Sequence, residues 1–251
     1  YRKTPVIMLT AMTEKDYIDR AFQAGATDYA NKPFDIVELN ARLRMAQEVF
    51  SARQEAAAAI STVDAHRPEA ANQHEFDIYD EVQIEGVKDL IEYAALGNYL
   101  TQLSRAGLVS SQVYAVKIDR IEAIYARAST EEFIYALTEV ADAIGDVIRS
   151  SGYMMAYAGN GAFVVVSNKA TLEPSVGLET EIQDFLDEKN SEYDNGAPLD
   201  IEVSIGNPIR PNTSKSQRIR RTFDRVIARA ESRVLKKRSE LRPVNIRLVG
   251  R

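Results

Sequence analysis

The chain has 251 residues, 45% hydrophobic and 27% charged, with a net charge of −6, no cysteine and two histidines. That length allows one large domain or two modest ones, and the balance is that of a globular protein. Without cysteine, disulfides, thiol nucleophiles and cysteine-ligated metals are excluded, and His66 and His74 both fall in a polar stretch, so no histidine-built metal site is expected.

No apolar run approaches the roughly 20 residues of a membrane span and no signal peptide is visible, so a cytoplasmic protein without membrane contact is expected. The charge is uneven: residues 211–251 carry +10 against −16 for the rest. Such asymmetry can mark a nucleic-acid surface. Phe223, Val226, Ile227, Ala230 and Val234, however, form an apolar stripe among the basic residues. A packed helix with solvated charges is therefore expected, and nucleic-acid binding is not.

In chain order, the first segment is Thr4-Pro5-Val6-Ile7-Met8-Leu9-Thr10-Ala11. Val6 to Leu9 is an unbroken apolar run, the pattern of a strand covered on both faces of a parallel sheet. Thr13 followed by acids predicts a helix starting near Glu14, and Gly25 ends it as a C-terminal glycine does. The chain continues Ala24-Gly25-Ala26-Thr27-Asp28-Tyr29-Ala30-Asn31-Lys32-Pro33-Phe34.

Joined at this spacing, the two stretches resemble the fourth strand, fourth helix and fifth strand of the receiver domain of two-component response regulators. The resemblance implies a partial flavodoxin-like fold. It implies that Thr10 bonds a phosphoryl oxygen, that Lys32 pairs with its charge, and that Tyr29 turns inward on activation. The acceptor Asp and the acids that hold Mg²⁺ in a receiver are expected upstream of Tyr1. The chain accordingly reads as a fragment with no cofactor of its own, Mg²⁺ belonging only to a complete receiver. A sensor histidine kinase or phosphotransfer protein is the implied upstream partner.

Asp35 reads as the N-cap of a helix over about 35–64. Leu39, Leu43, Ala46, Phe50, Ala57 and Ile60 follow 4-3 spacing, with Arg53 in the one slot between Phe50 and Ala57. That seam suggests a connector pairing with a second copy, giving a homodimer; the other reading is an amphipathic helix folded on its own domain. Pro68 stops the helix, residues 65–77 read as a polar linker, and Asp89 to Leu103 as an amphipathic helix.

Beyond it the order is a strand (Val113–Asp119), a helix capped by Thr130, strands Tyr153–Tyr157 and Ala162–Val166 joined at Ala158-Gly159-Asn160-Gly161, a helix (Glu179–Leu186), a strand (Ile201–Ile205), a helix (Arg218–Lys237) and a strand (Val244–Val249). The Asn-Gly pair is a strong hairpin signal, since it accepts the positive φ of a tight turn.

This order, with Val203-Ser204-Ile205-Gly206 and Phe223-Asp224-Arg225-Val226 through Arg229-Ala230, resembles the GGDEF domain of diguanylate cyclases, a fold with a mainly antiparallel central sheet. The family's helix motif runs Ala-Asp-x-Ala-Leu-Tyr-x-Ala-Lys. By that resemblance Gly159-Asn160-Gly161-Ala162-Phe163 stands where the family has Gly-Gly-Asp/Glu-Glu-Phe, Lys117 stands at a metal-binding Asp, and the guanine-reading Asn falls on Tyr125. Asp119 is a single carboxylate with a structural role.

Two Mg²⁺ ions on a triphosphate need several carboxylate oxygens. The expectation is therefore no metal site, no catalytic residue and no enzyme: a response regulator whose degenerate output domain acts on a further protein. The alternatives are a non-catalytic nucleotide sensor and, less favoured, an active cyclase. The boundaries expected are 1–45 for the receiver part, 46–88 for connector and linker, and 89–251 for the GGDEF-like domain, in a mixed α/β and α+β chain.

Overall fold

The computed structural model describes residues 4–63, 74–169, 172, 174–211 and 216–240. Two sheets form. In the first, strands β1 (Ile7–Thr10) and β2 (Asp28–Asn31) pair in parallel, Ile7 opposite Asp28 and Thr10 opposite Asn31. Helix α1 (Lys15–Gln23) crosses between them. It starts after Glu14 rather than from a Thr13 cap, and Gly25, at φ +94°, closes it as expected. The expected burial of β1 on both faces is not found: Val6, Met8 and Leu9 are 45%, 41% and 43% exposed. Among the described residues β1 has a neighbour on one side only.

Helix α2 (Ile36–Val63) runs the length expected of the connector. Asp35 caps it through Oδ1, which accepts from the amides of Val37 and Glu38. Arg42 ties it to the sheet with two 2.8 Å bonds to the buried Asp28 carboxylate. Leu39, Leu43, Ala46 and Phe50 face Pro5, Ile7 and Leu9 across an open groove of about 400 Å³. The side chains of Ala57 and Ile60 lie outside the described residues.

The second sheet has four strands in the order β4 (Tyr153–Tyr157), β5 (Ala162–Ser167), β3 (Gln112–Ile118), β6 (Val203–Ile205), all antiparallel. Every residue of β3, β5 and β6 is buried, because helices cover both faces, the arrangement an apolar sheet needs. Tyr114, Val116, Ile118, Phe163 and Val165 meet Phe133, Leu137, Val140 and Ile144 of α6 (Thr130–Ile148) on one side, with α5 (Ile121–Arg127) and α7 (Val176–Lys189). Val113, Ala115, Val164 and Val166 meet α3 (Tyr93–Gln102) and α8 (Ser216–Glu240) on the other.

Several local expectations change. Ser129, not Thr130, caps α6, in a reciprocal capping box with Glu132. Residues 89–103 are not one helix: Asp89 and Ile91 pair with Met155 as an added edge, α3 follows, and α4 (Arg105–Ser110) comes next. The expected last strand, Val244–Val249, lies outside the described residues.

Gly206 accounts for the tight seating of α8. A Cβ there would stand 2.7 Å from the Ala230 nitrogen and 2.7 Å from Arg229 Cβ.

The two sheets share one core. Ile18, Phe22 and Tyr29 belong to the same buried cluster as Leu96, Tyr99, Leu100 and Phe223. Phe22 and Tyr99 meet edge to face at 5.6 Å. Tyr99 Oη donates to Asp19 at 2.9 Å, Asn98 Nδ2 donates to the Thr27 carbonyl at 2.9 Å, and Gln23 Nε2 donates to Asp89 at 2.7 Å.

Burial first, then the Asp19 charge and the hydrogen bond to it, push the Tyr99 hydroxyl well above the ordinary tyrosine value of 10.0. A group whose folded pKa is raised gives stability that is complete below its unfolded pKa and is lost as pH rises toward the folded value. Tyr99→Phe is expected to cost about 0.5–1.5 kcal/mol at neutral pH. It should also flatten the loss of stability above about pH 10 relative to wild type, as read from urea titrations of both proteins across that range.

Candidate functional site

Two places gather the residues that the sequence singles out. The first is the carboxyl edge of β1 and β2. Thr10 and Asn31 stand opposite each other, the Lys32 amide donates to the Thr10 carbonyl at 2.7 Å, and Thr10 Oγ1 accepts from the Met12 amide at 3.1 Å. Strand pairing therefore brings Thr10 and Lys32 to one edge, the place where open parallel sheets put chemistry. Lys32 is exposed, and the bond to Pro33 is cis. Tyr29 is 1% exposed, its hydroxyl donating to the Met12 carbonyl at 2.5 Å. Asn31 Oδ1 is buried without a hydrogen-bond partner among the described residues.

The second place is the turn from Ala158 to Gly161 between β4 and β5. Gly159, Asn160 and Gly161 all take positive φ, at 84°, 47° and 66°, as the Asn-Gly pattern predicts. The Gly161 amide donates to Tyr157 Oη at 3.0 Å, and burial pushes the Tyr157 hydroxyl up to about 12. Ala162 and Phe163 start β5, opposite Lys117 and Val116. Lys117, 7% exposed, reaches under the turn and donates from Nζ to the Asn160 carbonyl. Burial lowers its pKa from the ordinary lysine value, opposed by Glu122, Glu231 and Asp119.

Asp119 has the structural role expected of it. Its Oδ2 accepts from Ser204 Oγ at 3.1 Å and pairs with Lys237 at 3.4 Å, while burial raises its pKa against those partners. Asp119 Oδ1 and Asn160 Oδ1 are buried without partners among the described residues. At the hairpin Gly161 and Ala162 carry no side-chain oxygen that could bind a metal ion, and the Lys117 ammonium lies against the Asn160 carbonyl. No cluster of three or more acidic or histidine side chains among the described residues is placed for a metal.

The sequence reading missed the segment before Asp89. His74 is no part of a solvated linker. Its ring stacks on Tyr125 at 3.9 Å and meets Phe76 and Phe133 at 5.4 Å each. Its Nε2 lies 2.7 Å from the Tyr125 carbonyl. The alternation of inward His74, Phe76 and Ile78 with exposed Glu75, Asp77 and Tyr79 is the signal that could have found it. His66 and Pro68 lie outside the described residues.

No protein-family model matches the chain. It is 49% identical over 41 residues to the transcriptional regulatory protein CrdR of Helicobacter pylori, which is 16% of this chain and 19% of that protein. It is 52% identical over 48 residues to the KDP operon transcriptional regulatory protein KdpE of Escherichia coli, 19% and 21% of the two chains. The matched stretches span about a fifth of the length of these curated relatives. Among solved structures, the diguanylate cyclase SiaD with its activator SiaC from Pseudomonas aeruginosa superposes with a TM-score of 0.46 at 15% identity, over 80% of this chain and 72% of that one. The coiled coil and GGDEF domain of DgcB from Caulobacter crescentus, in complex with c-di-GMP, gives 0.44 at 17%, over 81% and 96%.

The first segment is thus similar over 41–48 residues to transcriptional regulatory proteins, and the rest of the described chain is built on a four-stranded antiparallel sheet. One expectation is corrected. The substitutions at Lys117, Gly161 and Ala162 led to a reading of the chain as no enzyme. Similar solved structures include ones described as diguanylate cyclases, and altered side chains at three positions do not demonstrate lost activity, so that reading is withdrawn. At these identities no residue role passes from those structures to this chain. No helix among the described residues is long and apolar enough to cross a membrane.

The lysine bridge carries its own test. Lys117→Ala removes the donor from a half-buried carbonyl, which costs about 1–3 kcal/mol, and a urea titration should show that loss. Lys117→Arg, which keeps a donor, should recover part of it.

Proposed function

We propose that the chain is part of a response regulator in a phosphorelay, and that its receiver-like segment signals to the GGDEF-like domain through direct packing of α1 and β2 on α3. The observation that carries this reading is the place of Tyr29. By resemblance it is the aromatic that turns inward on activation, and here it is buried in the core cluster that contains Leu96, Tyr99 and Leu100 of α3. A shift of that ring changes the packing of the second domain without an intermediary, and packed cores switch between discrete arrangements rather than deforming smoothly. In this reading Thr10 and Lys32 hold the phosphoryl group. A sensor kinase or phosphotransfer protein supplies it, and a further protein receives the output of the sheet domain.

The relay is tested by amide exchange. Tyr29→Ala should raise exchange in Tyr93–Gln102 by about tenfold while α6 stays protected, and Tyr29→Phe, which keeps the ring, should leave α3 as in wild type. Loosening confined to residues 4–34 would sink the relay.

Pairing of two copies through α2 belongs to the same proposal. Ile36 and Leu43, seven residues apart on the seam face, are 72% and 49% exposed, an apolar strip that a second helix would cover. Leu43→Glu with Phe50→Glu should run as a monomer by light scattering where wild type runs as a dimer, because charges in such a seam go unpaired. A wild type that is monomeric at high concentration refutes the pairing.

A further inference from the structure

Helix α8 sorts its charges by face. Phe223, Val226, Ala230 and Val234 enter the core, as the sequence pattern implies, which leaves most of the basic residues to solvent. Where those residues stand is visible only in the folded helix. At about 100° per residue, Arg218, Arg221, Arg225, Arg229 and Lys236 fall within about 80° of one another. They form one run about 27 Å long, and all five are exposed.

The two acids in the body of the helix lie off that run. The Asp224 charge acts on Tyr93 of α3, adding to the burial that raises its hydroxyl to about 12. The Glu231 charge acts on Lys117, where it opposes the lowering by burial. Among the described residues Arg218, Arg221 and Arg225 form no ion pair. Arg229 donates from Nη1 to the Asn207 and Pro208 carbonyls, which fixes its head without cancelling its charge. Lys236 pairs with Glu240 at 3.8 Å, an exposed contact of little worth.

The chemistry of this face selects among acidic partners. A lipid surface takes up a basic helix through its apolar side, and that of α8 is already buried. A protein interface needs apolar or aromatic anchors among its charges, and this run presents none. A single strand is held by stacking on aromatic rings, and Phe223 is turned inward. A duplex backbone needs charge alone. Each strand offers one phosphate per about 3.4 Å of axis. Arginines four residues apart stand about 6 Å apart along a helix, and each guanidinium fork can take two phosphate oxygens.

We propose that the outward face of α8 docks on the phosphate backbone of a duplex nucleic acid without reading its sequence. The inference is independent of the relay through α3. Residues 1–210 carry −16 against +10 for residues 211–251, so the rest of the chain repels the same duplex and this helix is the favourable side of approach.

The test is fluorescence anisotropy of a labelled random-sequence duplex of about 20 base pairs with the full chain, at about 20–200 mM salt. Affinity should fall with salt at a slope of about −3 to −4, close to −0.9 per phosphate contacted. Arg221→Ala with Arg225→Ala should weaken binding at least about tenfold at low salt and make the slope shallower by about two. Arg220→Ala with Arg238→Ala removes the same charge from another side of the helix and should leave affinity within about twofold of wild type. All four positions are exposed, so both variants should keep the wild-type melting transition. Arg225→Lys, which keeps the charge, should keep the slope. If the duplex does not bind at the lowest salt, or if the two alanine pairs weaken it equally, the run is a solvated face and the proposal fails. It fails also if polyglutamate or phosphatidylserine vesicles bind more tightly than the duplex.

Discussion

Strand β3 has no face toward water, and most of the chain can be understood as the means of keeping it that way. Its seven residues, Gln112 to Ile118, are all buried. A strand of this kind needs partners on both edges and a layer of helices above and below. β5 and β6 supply the edges, α5, α6 and α7 one layer, and α3 and α8 the other. The second layer would be thin at its α3 end without α1 and β2, whose Ile18, Phe22 and Tyr29 complete it. The receiver-like segment is therefore part of the hydrophobic closure of the other domain, which is what makes a direct relay physically reasonable.

Charges placed inside this framework are held in company. Glu179 of α7 is 7% exposed; it receives the Ile205 amide at 2.8 Å and pairs with Arg233 of α8 at 2.7 Å. Losing one partner of such a pair is more damaging than never having had it, since the other is left buried and uncompensated. Glu179, Arg233, Asp119 and Lys237 thus fasten α8 to the β6 edge of the sheet.

Much of this was legible in the sequence. The strands of the second sheet, the Asn-Gly turn, the α6 helix and the long α2 helix all follow from apolar period and turn chemistry, which are local signals. What was not legible depended on distant partners. The run Val6 to Leu9 reads as a doubly covered strand, but burial is decided by neighbours, and among the described residues β1 has one. Asp89 to Leu103 has helical spacing throughout, yet Asp89 and Ile91 are drawn into pairing with Met155, a non-local gain that outweighs local propensity. At the candidate site, Thr10, Tyr29 and Lys32 were singled out by their spacing. His74 was missed because a polar composition hid its two-residue alternation, and its aromatic partners lie some fifty residues away.

The contact between Gly206 and α8 sets a tolerance for the whole assembly. With Arg229 and Ala230 only 2.7 Å from where a Cβ on Gly206 would stand, the helix rests on the strand with no side chain as a spacer. A single methyl at that point would act as a wedge under a lever. The displacement would be carried along the helix toward Arg233 and Lys237, which pair with Glu179 and Asp119. The charged end of the domain thus takes its calibration from a residue that carries neither charge nor side chain.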